Sequence, residues 1–287
     1  MRILTSLILG PFFLLIHMLL LASSDPAVRY LRYVPRLWPA AAPPLRLVLL
    51  GDTHVAGPDT PPARLARVIA MVNRLGPDIV LLAGDYISTK GPATRRYSLA
   101  EAIRPFAAIG ASTGVVAVLG NHDHWANAAV ARRELRRAGV IVLDNDALRL
   151  GPVTLGGVDD DFTHHADVAT TAGRMAALGG VPVLLSHSPD VFPATPGWIG
   201  LVLAGHTHCG QIVLPWFGPI ATASRYGRRY YCGLTRSGHG TLLVTAGIGT
   251  SVLPLRLGAR PDLWVIDIGK WPTASYAGSA SSAHTGA

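Results

Sequence analysis

Cys209 and Cys232 are the only cysteines in the 287 residues. Two cysteines make no disulfide framework, and their spacing fits no cysteine-rich zinc site. Each is expected to be a small buried residue, a usage compatible with a reducing compartment. Fixed charge is scarce as well: charged residues make up 15% of the chain and hydrophobic residues 49%. That balance excludes a disordered chain and leaves enough apolar side chain for a large core. Acid is scarcer than base, 17 residues against 25, for a formal charge of +8. A basic surface suits phosphorylated substrates, anionic lipid or nucleic acid. Nucleic acid is the least expected of these, because no helix-turn-helix, zinc finger or aromatic-rich RNA-reading strand is present. No internal repeat is visible.

What is present begins with an N-terminal run, Ile3 to Ala22, that carries no fixed charge. A bilayer core takes about 20 apolar residues, so residues 1–24 are expected to be a transmembrane anchor. The competing reading is a signal peptide cleaved near Ala22-Ser23-Ser24. Tyr30, Tyr33 and Trp38 interleave with Arg29, Arg32 and Arg36, a mixture suited to headgroups. Residues 25–44 are therefore expected to be an interfacial segment and linker, 45–269 the folded domain, and 270–287 a disordered tail. More basic residues follow the run than precede it, which places the folded domain on the cytoplasmic side. A signal-anchor that exports the domain is the alternative.

Short apolar runs alternate with helix-like stretches. Leu45–Leu50, Ile79–Ala83, Val115–Leu119, Val181–Leu185 and Leu201–Ala204 read as strands. Leu65, Val68, Ile69 and Val72 have helical spacing within Ala63–Leu75. Leu99–Ala108, interrupted by Pro105, and Val130–Ala138 are further helix candidates. Shorter strands are expected at Val140–Leu143, Leu148–Leu150 and Val153–Leu155. The C-terminal part adds Gln211–Leu214, Thr241–Thr245 and Leu263–Ile268. Fully apolar strands alternating with helices imply a sheet covered on both faces. Late strands without helices between them imply a second, more antiparallel sheet. The expected fold class is α/β, a β-sandwich with helices outside.

Five apolar strands end directly in metal-binding side chains: Asp52-Thr53-His54, Asp85, Asn121-His122-Asp123, His187, and His206-Thr207-His208. The carboxyl ends of such strands share one rim, where ligands bind. Residues two apart in an extended segment point the same way, so Asp52 with His54, and His206 with His208, can each reach one centre. Carboxylate, imidazole and amide donors suit manganese, iron or zinc better than calcium. A single histidine after a strand is ordinarily just a satisfied polar residue; five such ends together are not accounted for that way.

In that order the five blocks resemble the signature of the calcineurin-like metallophosphoesterases: Gly51-Asp52-Thr53-His54, Gly84-Asp85-Tyr86, Gly120-Asn121-His122-Asp123, Ser186-His187 and Gly205-His206-Thr207-His208. Pro77-Asp78-Ile79-Val80, Gly157-Val158-Asp159-Asp160, Gly210-Gln211-Ile212, Gly247-Ile248-Gly249-Thr250-Ser251 and Pro254-Leu255-Arg256 resemble the bacterial membrane-anchored phosphodiesterase branch, which is similar to UDP-2,3-diacylglucosamine pyrophosphatases. Cys209 departs from the glycine common there. The resemblance implies a four-layer β-sandwich of two mixed sheets flanked by helices. It implies two divalent ions, manganese first and iron or zinc next, with a bridging hydroxide as nucleophile. Asp52, His54, Asp85 and His208 would hold the first ion. Asp85 would bridge, and Asn121, His187 and His206 would complete the second. His122 would face the leaving group, oriented by Asp123.

The expected substrate is a phosphorylated, lipid-linked molecule at the inner membrane of a bacterium, with UDP-2,3-diacylglucosamine of lipid A biosynthesis the leading candidate and membrane lipid the other partner. A cell-envelope phosphodiesterase, a nuclease and a membrane-attached binding protein without activity are the alternatives. Arg225, Arg228 and Arg229, interleaved with Tyr226, Tyr230 and Tyr231, form a basic aromatic loop that either grips phosphate or is simply solvated. His164 and His165 follow three aspartates, where a solvated loop near the pocket is expected and a third metal site is the alternative; for His124, which follows the signature, substrate contact is the lesser of two readings. No protein partner is inferable.

Overall fold

Alternation within wholly apolar strands decides the layering. In β2 (Leu45–Leu50), Leu47 and Leu49 point to one side and Val48 and Leu50 to the other, and all four are buried. The sheet must therefore be covered on both faces. The computed structural model describes residues 2–270, with side chains described from Gly10 onward; the expected C-terminal tail lies outside the described residues.

Numbered in chain order, the first six-stranded sheet runs β1 (Ala27–Tyr33), β14 (Asp262–Ile268), β2, β3 (Ile79–Leu82), β4 (Gly114–Ala117), β5 (Ile141–Val142). The second runs β12 (Gly233–Ser237), β13 (Gly240–Val244), β9 (Leu201–Ala204), β8 (Val181–Leu185), β7 (Val153–Gly157), β6 (Asp146–Leu150). Both are mixed: β2, β3 and β4 are parallel, as are β7, β8 and β9, while β14 lies antiparallel to β2 and β6 to β7. Leu47, Leu49, Ile79, Leu81, Val183 and Leu203 meet in the core between the sheets.

Helices form the outer layers. α2 (Pro62–Arg74) buries Leu65, Val68, Ile69 and Val72 against Val48, Leu50 and Val80, the stripe expected from its spacing. α3 (Leu99–Ile103) and α4 (Asn121–Arg137) cover the same face. α5 (Val168–Leu178) covers the second sheet through Ala172 and Met175. Pro105 turns the expected second helix into 3₁₀ over Arg104–Ala108. α4 starts well before the expected Val130, because Gly120 and Asp123 close its first turn.

Two expectations at the N-terminus are corrected. Residues 27–33 are no linker: β1 pairs parallel with β14 from Ala27 to Tyr33. Arg29 bonds Asp262 at 2.7 Å, and Trp38 is buried with its indole N–H on the Ala42 carbonyl. The basic and aromatic residues that suggested headgroups thus belong to the sheet and its edge. The membrane helix is not found either. α1 spans Arg2–Ser23 with Pro11 inside, yet among the described residues no helix is long and apolar enough to cross a membrane.

Candidate metal centre

The five strand ends meet on one rim. β2, β3 and β4 end in Asp52 to His54, Asp85 and Asn121; β8 and β9 end in His187 and in His206 to His208. Backbone bonds zip the loops together: Asp52 N–H to the Gly84 carbonyl at 3.0 Å, His54 N–H to the Asp85 carbonyl at 2.9 Å. Two glycines make the approach possible. A Cβ on Gly120 would lie 2.3 Å from Asp85 Oδ1, and one on Gly205 would lie 2.5 Å from Asp52 Oδ2.

Strain collects here. Asp52, His54, Asp85, His206 and His208 hold φ of 50°, 40°, 57°, 71° and 51°, in the left-handed region. Side chains other than glycine seldom adopt it, at a cost of ~1–2 kcal/mol each, and such residues cluster at functional sites.

The donor atoms converge. Three buried groups each place one ligand atom per residue within 4.8 Å of the others: Asp52, His54 and His208; His54, Asp85 and His122; Asp85, His187 and His206. His54 Nε2 lies 3.0 Å from His208 Nε2, and His187 Nε2 lies 3.1 Å from both His206 Nδ1 and Asn121 Oδ1. Two imidazole nitrogens, each ~2.1 Å from one ion, sit about 3 Å apart when they meet it at right angles. Asp85 Oδ2 stands between the sets, 3.3 Å from His54 Nε2 and 3.3 Å from His187 Nε2. Its other oxygen is fixed by the His122 N–H at 2.8 Å.

Electrostatics agree with cation binding. Burial pushes the Asp52 carboxyl up to about 7, so the isolated protein holds this charge at a cost that a cation would offset. Burial also pulls His206 down to about 3 and His54 and His208 well below the usual imidazole range, leaving neutral rings with free lone pairs. At His187 burial opposes protonation, but Asp85 and Asp52 outweigh it and raise the pKa. His187 Nδ1 donates to the Ala83 carbonyl at 2.7 Å, so that Nε2, which faces Asp85, is the nitrogen that would exchange its proton for a cation. These clusters suit a dinuclear metal site.

A family model of calcineurin-like phosphoesterases matches residues 45–210. The chain belongs to that family. It is 30% identical over 230 residues to the uncharacterized metallophosphoesterase YkuE of Bacillus subtilis, covering 78% of each chain. It is 31% identical over 239 residues to a transmembrane protein with metallophosphoesterase domain of Danio rerio, covering 76% of this chain and 52% of that one. It is 28% identical over 239 residues to the phosphodiesterase YaeI of Escherichia coli, covering 79% and 83%.

In this calcineurin-like chain the residues beside the donors differ from expectation. Asp123 does not orient His122. Its carboxylate accepts from the backbone N–H groups of Asp85, Tyr86 and Gly120 at 2.8, 2.9 and 3.0 Å, and so shapes the turn that carries Asp85. His122 is held instead by Thr89, whose Oγ1 lies 2.7 Å from Nδ1. Its Nε2 faces inward, 4.0 Å from Asp85 Oδ2. Burial lowers the His122 pKa, with Asp85 working the other way. No local motif marked Thr89.

Arg256 was also missed as a structural residue. Wholly buried, its guanidinium donates to the carbonyls of Ala246, Gly249 and Ala259 at 2.7, 2.6 and 3.2 Å and lies 3.3 Å from His208 Nδ1. It fastens the 246–249 loop behind the first donor set.

A cavity of about 510 Å³ opens over the donors, with Asp85, Asn121, His122, His206 and His208 in its wall. Among the described residues, Arg225, Arg228 and Arg229 do not line it. Arg225 is paired with Asp161 at 2.8 Å, Arg228 caps the Phe217 carbonyl, and Arg229 lies 5.2 Å over the Tyr230 ring. His124 bonds Asp159 at 2.8 Å and stacks on His165, so the 159–165 loop is tied down beside the cavity.

Cys209 is buried as expected, Cys232 is exposed, and neither is free. Cys209 and Cys232 form a disulfide, joining the loop of His206 and His208 to the segment before β12. The pairing depends on a tertiary approach that two isolated cysteines do not announce. Closing a loop of this length contributes about 3 kcal/mol.

Proposed function

We propose that the chain is a two-metal hydrolase of a membrane-proximal phosphodiester or pyrophosphate. The observation that carries this is Asp85 Oδ2, equidistant at 3.3 Å from a donor of each set. Asp52, His54 and His208 would hold one ion with Asp85, and Asn121, His187 and His206 the other with Asp85. When bound, the ions supply Lewis-acid polarisation of the phosphoryl oxygens and lower the pKa of a water. The protein's own part is positional and acid–base. Asp123 sets the turn that presents Asp85, and the His122 N–H holds one carboxylate oxygen so that the other is free to bridge. Thr89 fixes the His122 ring, whose Nε2 gives a proton to the departing oxygen. The name of the Escherichia coli relative supports a diester, and that of the Danio rerio relative supports a membrane setting.

Purified chain, stripped with chelator and reloaded with manganese, iron or zinc, tests this on UDP-2,3-diacylglucosamine, bis(p-nitrophenyl) phosphate and DNA. Turnover of the diester and the lipid nucleotide only after reloading is expected. Undiminished turnover by the stripped chain would refute the metal mechanism, and turnover confined to DNA would make the chain a nuclease.

The disulfide favours a second reading of the substrate. Such bonds persist in oxidising compartments, so the bond weighs against the cytoplasmic side and toward an envelope phosphodiester. Separate C-terminal fusions to alkaline phosphatase and to a fluorescent protein decide between them. High phosphatase activity with a dark fluorescent fusion is expected; the reverse pattern restores the cytoplasmic side and the case for the nucleotide-linked lipid.

A further inference from the structure

The mouth of the cavity is unlike its floor. Trp125, Phe162, Ile212, Ile220, Val252 and Leu253 surround the opening. Beside it β10 (Val213–Leu214) and β11 (Gly218–Pro219) form a small hairpin with Pro215, Trp216 and Phe217 at its tip. Trp216 is 99% exposed, Phe217 73%, Val252 71% and Ile220 67%. Large apolar side chains gathered this way around one opening mark an interaction surface.

The surface is built rather than loose. Arg228 donates to the Phe217 carbonyl, and Trp216 is held at φ 63°, a backbone state that bulky residues rarely take. Gln211 ties the hairpin to the neighbouring loop: its side chain accepts from the Ser251 N–H at 2.9 Å and donates to the Leu253 carbonyl at 2.9 Å. The Val213 N–H donates to the Leu257 carbonyl at 2.7 Å. The next residue back, Arg256, donates its backbone N–H to the Met18 carbonyl of α1 at 3.1 Å. On α1, Phe12, Phe13, Leu14, Leu15 and Leu20 are exposed. Hairpin, loop and helix are thus joined in series.

Charge names the occupant. From Gln211 to Arg260 the sequence contains no Asp or Glu; of its arginines, Arg256 is buried and Arg225 is paired with Asp161. Arg228 and Arg229 are exposed next to the hairpin. Apolar tips with a tryptophan, flanked by exposed arginines, fit the boundary between anionic headgroups and acyl chains.

We infer that this face docks on an anionic lipid bilayer, with Trp216 and Phe217 seated at the headgroup–acyl boundary. The cavity then opens toward the bilayer and takes a phosphoester whose apolar part stays in the lipid. That last step rests on the hydrolase reading above; the docking does not.

Full-length chain is added to phosphatidylcholine vesicles with or without phosphatidylglycerol, carrying brominated acyl chains that quench nearby tryptophan. Strong quenching is expected with the anionic vesicles. Trp216→Phe should remove most of it, and vesicles without phosphatidylglycerol should show much less. A second arm compares hydrolysis of a vesicle-embedded phosphodiester with that of bis(p-nitrophenyl) phosphate. Trp216→Ser/Phe217→Ser should lower the first about tenfold and change the second less than about twofold, the loss of two interfacial anchors, while Trp216→Leu/Phe217→Leu should keep both. Quenching equal in wild type and Trp216→Phe, or equal on the two kinds of vesicle, overturns the docking, and would leave the face to a protein partner. Quenching as expected with no hydrolysis of either ester would uphold the docking and sink the hydrolase reading instead. If the serine variant loses both activities, the quenching by Trp216→Phe decides alone.

Discussion

Asp85→Asn is expected to abolish turnover and to lower the metal content of the purified protein. Both effects come from one atom. The amide keeps the size of the carboxylate and can still accept from the His122 N–H, so the fold has little reason to change. It removes the negative charge that faces His54 and His187 at once, each at 3.3 Å from Oδ2. Two like-charged ions held close together need a shared anion between them, and a neutral amide supplies none. A loss of roughly 1,000-fold or more is expected, the rate equivalent of ~4 kcal/mol. Metal analysis and single-turnover rates check the two halves. Full metal content with near-normal turnover would end the account of Asp85 as a bridge.

His122→Ala should separate chemistry from loading. The backbone N–H that holds Asp85 survives in the variant, so both donor sets should stay in place. What goes is the ring fixed by Thr89 at 2.7 Å. General acid catalysis typically contributes ~100- to ~10,000-fold, and that is the loss expected on an alkyl ester. A leaving group such as p-nitrophenolate needs little protonation, so there the loss should shrink to about tenfold or less. A leaving-group series with metal content measured alongside would show it. An equal loss across the series would make His122 a positioning residue. Thr89→Val should follow the same pattern more weakly, because the ring remains but loses its fixed orientation.

The donors could be read from the sequence because each lies within four residues of the end of an apolar strand, and strand ends of parallel sheets share a rim. Asp52, Asp85 and Asn121 needed nothing more. The second sheet was partly legible for the same reason: Val181–Leu185 and Leu201–Ala204 are unbroken apolar runs, whereas Gly233–Ser237 alternates weakly and lies partly exposed. What failed depended on distant partners. Arg29 and Tyr30 look like headgroup residues until Asp262–Ile268 arrives beside them. Asp123 looks like a partner of its neighbour His122, but backbone geometry hands it the amides of Asp85 and Tyr86, which are remote in sequence. Cys209 and Cys232 carry no local sign of each other.

The two donor sets do not divide along the sheets. Asp52, His54, Asp85 and Asn121 leave the first sheet, and His187, His206 and His208 leave the second. Each ion would therefore draw donors from both halves of the sandwich. Loaded metal would act as a fastener across the seam, above the leucine and valine core. A ligand present at a thousandfold its dissociation constant adds about 4 kcal/mol to folding, and here that increment would fall on the contact between the halves. Metal scarcity would then register first as a loosening of one sheet against the other, so that the supply of ions sets the cohesion of the molecule as well as its reactivity.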